Sequence, residues 1–101
     1  MSVQVVRFTA READVPAVET AIEAMVAAIH RAQPQGTRFA SCKLADEMTF
    51  LNVLELADGV DNPLPGIPEC RAFQQQLAGW VDGPAPAPQP ITVVGSHELF
   101  S

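Results

Sequence analysis

The stretch Met48-Thr49-Phe50-Leu51-Asn52-Val53-Leu54-Glu55-Leu56 is β-prone and carries apolar residues on both of its faces. Alternate residues of an extended chain point to opposite sides. Phe50, Leu54 and Leu56 therefore share one side with Asn52, while Leu51 and Val53 share the other with Thr49 and Glu55. A strand with neither face simply polar belongs in a sheet that is covered, at least in part, on both sides. The same two-sidedness recurs in Val5 and Val6 and in Val93 and Val94. Cover is scarce in a chain of 101 residues, which has room for one domain, residues 1–101, and one core.

The remaining segments say where that cover comes from. Residues 3–8 read as a first strand, rich in Val and Phe. A polar stretch follows that ends in Asp14, a carboxylate suited to capping a helix, with Pro16 in the first turn where its missing N–H costs nothing. Val15, Val18, Ile22, Met25, Val26 and Ile29 then recur at steps of three and four and form one apolar stripe of a helix. Gln33-Pro34-Gln35-Gly36 stops it. Residues 37–44 and 48–56, separated by Ala45-Asp46-Glu47, predict an antiparallel hairpin. Pro68 opens a second helix through about Val81, with Cys70, Phe73, Leu77 and Trp80 on one face. The proline-rich run 83–90 reads as an extended polyproline-type connection, and residues 91–100 as the last strand.

Strand, helix, strand, strand, helix, strand is the split βαβ order. It predicts an α+β, ferredoxin-like β-α-β-β-α-β fold with a four-stranded antiparallel sheet and both helices on one face. The other face keeps its apolar residues, each worth about 1.5–3 kcal/mol when fully buried. Pairing two copies through that open face about a two-fold axis, as a homodimer, would cover them. An apolar fraction of 48% against 18% charged residues agrees with a chain that has more to hide than one small core accepts.

Charge narrows the partners. The net charge is −6 and the six basic residues are scattered, which excludes the clustered positive surface that nucleic acid or an anionic membrane requires. No run approaches the roughly 18 apolar residues of a membrane span, and the first residues lack the pattern of a signal peptide. Cys42 and Cys70 are too few for a disulfide framework or a zinc site, and they read as free thiols of a cytoplasmic protein. His30 and His97 have no acidic or thiolate partner at ligand spacing, so no metal site is expected.

Element order, length and two-sided strands together resemble the dimeric α/β barrel superfamily. Within it the chain is similar to small antibiotic-biosynthesis-monooxygenase-like proteins. The resemblance implies a cleft between sheet and helices that takes an apolar or aromatic small molecule. Some members oxidise polycyclic phenols to quinones with molecular oxygen, using no metal or flavin. In those members a third-strand Asn is followed four residues later by a Trp; Asn52 matches the first position and Leu56 stands at the second. Many relatives also carry a His in the second helix, within Glu-Ala-x-x-x-His, whereas this helix reads Pro68-Glu69-Cys70-Arg71-Ala72-Phe73-Gln74-Gln75-Gln76. Two functions thus compete. One is a cofactor-independent monooxygenase; the other is a non-catalytic homodimer that binds a small ligand or serves as an accessory protein.

The candidate cleft residues are Asn52, Trp80, His97, Arg38, Phe50 and Leu64, with no catalytic residue assigned. Asn52 is either satisfied by loop backbone or orients a ligand. Trp80 is a core or pocket-wall aromatic. His97, on the last strand beside Val93 and Leu99 in parity, is a structural side chain or an acid–base group. Arg38, like Arg7, either binds an anionic substrate group or pairs with Glu55 across the subunit interface, the second being favoured. The loop Asn62-Pro63-Leu64-Pro65-Gly66-Ile67-Pro68 is stiff and apolar, either a cover for the core or a preformed pocket wall.

Overall fold

A computed structural model describes residues 1–100. Its elements are β1 (Ser2–Thr9), α1 (Val15–Ala32), β2 (Thr37–Lys43), β3 (Thr49–Leu56), α2 (Pro68–Leu77) and β4 (Gln89–Ile91), with short 3₁₀ turns at Glu12–Asp14 and Leu64–Gly66. The sheet runs β2-β3-β1-β4 with every neighbour antiparallel. This is the ferredoxin-like α+β arrangement.

Register sorts the side chains into two sets. Val6 faces Asn52, Phe8 faces Phe50 and Gln4 faces Leu54, while Ser41 faces Asn52 and Phe39 faces Leu54 from the other side. These positions lie beneath the helices, where Phe8, Phe50, Asn52, Leu54 and Leu56 are buried. Val18 from α1 and Leu77 from α2 are the most completely enclosed apolar residues of the core. Phe8 stacks on Phe50 at 5.2 Å, Phe73 tilts against Phe8 at 6.0 Å, and Trp80 tilts against Phe73 at 5.7 Å. The aromatic row fastens α2 to the sheet through offset and tilted ring contacts.

The stripe of α1 is present with one exchange. Val18, Met25 and Ala28 are buried, whereas Val26 is exposed. Asp14 precedes the helix but does not cap it, because its carboxylate accepts the Arg11 Nε–H at 3.1 Å. The same guanidinium donates to the Gly79 and Val81 carbonyls and to Asp82, so Arg11 ties the exit of β1 to the chain after α2. Gln33 ends α1 in the left-handed conformation, its N–H returning to the Ile29 carbonyl at 3.0 Å. Gly36 follows at φ +66, where a Cβ would stand 2.8 Å from Val60 Cγ2. In the β2–β3 hairpin, Asp46 Oδ1 accepts the N–H groups of Met48 and Thr49 at 2.9 and 2.8 Å. The Thr49 hydroxyl donates to Asp46 Oδ2 at 2.6 Å. That hydroxyl first, and the two amides next, hold the Asp46 carboxyl below the usual carboxylate range.

Two boundaries differ from those read in the sequence. The second helix stops at Leu77 instead of Val81, with Gly79, a poor helix former, and Trp80 in tight turns, and Val81 drawn into a bridge with Ala10. The last strand is Gln89–Ile91, which begins at the end of the proline-rich run and shares only Ile91 with the expected residues 91–100. Pro90 is tolerated because β4 lies at the sheet edge. Ile91 already faces Val3 and β1 starts at Ser2, so the register offers almost no β1 partner beyond Ile91. Among the described residues, no helix is long and apolar enough to cross a membrane.

Candidate functional site

A cavity of about 310 Å³ opens between the sheet and α2. Its floor is Gln4, Val6, Phe39, Asn52 and Leu54, all from the helix-facing set of the sheet. Cys70, Phe73 and Leu77 supply the roof, at the three- and four-residue spacing of one helix face, with Met25 of α1 behind them. Leu64 and Pro65 form a side wall. This volume lies in the range of small-molecule sites, about 300–1,000 Å³, and the lining is mostly apolar as such sites are.

The side wall is fixed by its own hydrogen bonds. Asn62 Oδ1 accepts the Leu64 N–H at 3.0 Å, the Ile67 N–H reaches the Leu64 carbonyl at 2.9 Å, and Arg71 donates to the Pro65 carbonyl at 2.8 Å. Prolines with few accessible conformations, closed by these bonds, make a wall that is preformed.

Asn52 is the buried polar group of the floor, with 8% of its surface exposed. The Ser41 hydroxyl, directly opposite on β2, donates to Asn52 Oδ1. Its partner is thus a neighbouring strand side chain, not the loop backbone expected from sequence. No described residue accepts from the Asn52 Nδ2 donors. Cys70 is buried, and desolvation, helped by Glu69, raises its pKa, so the thiol stays neutral and behaves as apolar wall. Among the described lining residues there is no carboxylate and no imidazole. The polar capacity of the cavity comes from side-chain amides and from Arg71, which already holds Pro65.

The other sequence candidates take different places. Phe50 and Trp80 do not line the cavity; they stand in the aromatic row, which reaches the cavity wall at Phe73. Arg38 is on the opposite face of the sheet, where its Nε lies 3.6 Å from Glu55 Oε2 of the same chain. That ion pair is formed across adjacent strands, so Glu55 needs no partner from a second subunit. His97 is exposed on the irregular segment after β4, away from the strand on which it was expected. Met25, Cys70 and Gln74 line the cavity without having been singled out for it. The stripes of the two helices held the signal for the first two, whereas Gln74 lies off the apolar face and gave none.

No protein-family model and no curated protein sequence matches the chain. Solved structures do. A protein from Nitrosomonas europaea assigned by name as an antibiotic biosynthesis monooxygenase superposes with a TM-score of 0.76 at 15% identity, over 94% of this chain and 100% of its own. Rv0793 from Mycobacterium tuberculosis superposes with a TM-score of 0.72 at 15% identity, over 94% of this chain and 96% of its own. The chain therefore has the fold of antibiotic-biosynthesis-monooxygenase-like structures over nearly its whole length.

Proposed function

We propose that the protein is a monooxygenase-like homodimer whose sheet–helix cavity binds an apolar or aromatic small molecule. The carrying observation is the cavity itself: a preformed apolar chamber of about 310 Å³ with one deeply buried amide, Asn52, in its floor. The reaction class that fits it is oxygenation of a phenolic substrate by O₂ without metal or flavin. One oxygen atom enters the ring as a carbonyl and the other leaves as water. The name of the Nitrosomonas europaea structure supports this reading.

Pairing through the open face is supported by exposed apolar surface at that side of the fold. Ile91, on that face by its register with Val3, is 40% exposed. Val5, Leu51 and Val53 are half-buried on the face away from the helices.

Binding without turnover is a second reading, favoured by the absence of a carboxylate or imidazole base among the described lining residues. Oxygen-electrode measurements with anthrone, a tricyclic compound with a phenolic tautomer, separate the two. Uptake of one O₂ per anthraquinone formed, at a rate above the protein-free control and reduced in Asn52→Leu, supports oxygenation. Saturable anthrone binding without extra oxygen uptake leaves the binding function alone. No binding at all contradicts both.

A further inference from the structure

Asn52 and Ser41 face each other across β3 and β2, yet they look into different spaces. Asn52 lines the cavity, whereas Ser41 lines a separate surface groove of about 170 Å³ with Phe50, Ile22 and Lys43. The hydrogen bond from Ser41 Oγ to Asn52 Oδ1 joins the two spaces. Its polarity matters. Ser41 has one hydroxyl proton, and its structural partner for that proton is Asn52 Oδ1. In this arrangement the hydroxyl engages the amide oxygen, and Nδ2 has no acceptor among the described residues.

We infer that Ser41 is a positioning residue: by holding Asn52 Oδ1 it turns the Nδ2 donors to the cavity and makes the site select ligands with a hydrogen-bond acceptor, a carbonyl or phenolate oxygen. The inference rests on the reading of the cavity as a binding site. A buried amide whose oxygen is held toward Ser41 turns its donors to a ligand. A ligand N–H or O–H placed against Nδ2 finds no acceptor there and must reach another amide of the lining, Gln4 or Gln74, whereas a carbonyl or phenolate oxygen pairs with Nδ2 directly. Without the hydroxyl, the amide can turn about its χ2 axis and present either end, because the two ends are nearly equal in shape. Ser41 thus sets what the cavity accepts without lining it.

Three tricyclic compounds of nearly the same outline test this by equilibrium dialysis against the full chain. Fluorenone presents an acceptor, carbazole a donor, and fluorene neither. The wild-type protein is expected to bind fluorenone about three- to tenfold more tightly than carbazole, the size of one net hydrogen bond. Ser41→Ala is expected to bring the ratio of the two dissociation constants close to one while leaving fluorene binding unchanged. Ser41→Thr, which keeps the hydroxyl, restores the wild-type ratio. Retained fluorene affinity shows that the cavity is intact. If Ser41→Ala loses fluorene as well, the near-isosteric Ser41→Cys, a weak donor, carries the test and is expected to lower the ratio. An unchanged ratio in the variant that still binds fluorene overturns the positioning role of Ser41. Failure of the wild-type protein to bind any of the three overturns the cavity reading itself, a different result from equal binding of fluorenone and carbazole, which overturns only the acceptor preference.

Discussion

Beneath the helices, Phe8, Phe50 and Leu54 are buried; on the opposite face of the same strands, Val5, Leu51 and Val53 stand half exposed. Both sets alternate along β1 and β3, so local propensity does not separate them. The difference is cover. Two helices, each with one apolar stripe, enclose one face and leave a chamber lined by the same side chains that form the core. The other face carries Arg7, Arg38 and Glu55 among its apolar residues, and its Arg38–Glu55 pair is made within the chain. With Glu55 already paired to Arg38, that face can meet another copy without leaving this carboxylate unpaired.

Changes on the two faces should therefore fail in different ways. The largest loss belongs to Leu77→Ala, which empties one of the most enclosed positions of the core. It should lower unfolding stability by about 2–5 kcal/mol, read as a fall in the urea midpoint, and weaken ligand binding because Leu77 also lines the cavity. Val53→Arg places a charge in the middle of the open face. It should abolish pairing of subunits in sedimentation velocity, while the far-ultraviolet circular dichroism of the chain stays that of the wild type. Loss of secondary structure in Val53→Arg would mean that the open face supports the fold of the single chain, contrary to the comparison.

Asp46 lies in the hairpin turn and gives a comparison independent of either face. Its folded pKa is lowered, so it contributes stability above the ordinary carboxylate pKa of about 3.9, and loses that contribution as pH falls through the folded value. Asp46→Asn should be less stable than the wild type at neutral pH, and the gap between the two should close as the solution is acidified. A gap independent of pH, in parallel thermal melts, would show that the carboxylate charge is not what holds the turn. The smallest effect is expected at Arg38→Ala. Its guanidinium is exposed although Glu55 is largely covered, and a cross-strand pair at the surface is worth about 0.2–1 kcal/mol, to be seen as a slight shift of the urea midpoint that shrinks in high salt.

The helix-covered face was legible in the sequence because it is written in periodicities. The alternation of residues 48–56 and the stripes around Val18 and Phe73 determine which side chains meet, and the element order follows from them. The fourth strand was not legible. Its three residues include Pro90, which reads as a strand breaker, while residues 91–100 look strand-like and, beyond Ile91, lack a partner in the sheet. Pairing decides there, and pairing is a property of register, not of composition. The same holds at the site. Asn52 stood out as an amide on an apolar parity and Leu64 as an apolar residue in a stiff loop, and both line the cavity. Ser41 gave no signal, because its role depends on standing opposite Asn52 across two strands. His97 and Arg38 drew notice by residue type, and the fold puts both away from the cavity.

The claim that joins these observations is that one face closes on its own helices and the other closes on a second copy. Native mass spectrometry of freshly purified protein tests it most directly. Given a chain mass of 10.8 kDa, the account predicts a dominant species of twice that mass, with Val53→Arg reverting to 10.8 kDa. A wild-type protein found only at 10.8 kDa, at every concentration sampled, would contradict it.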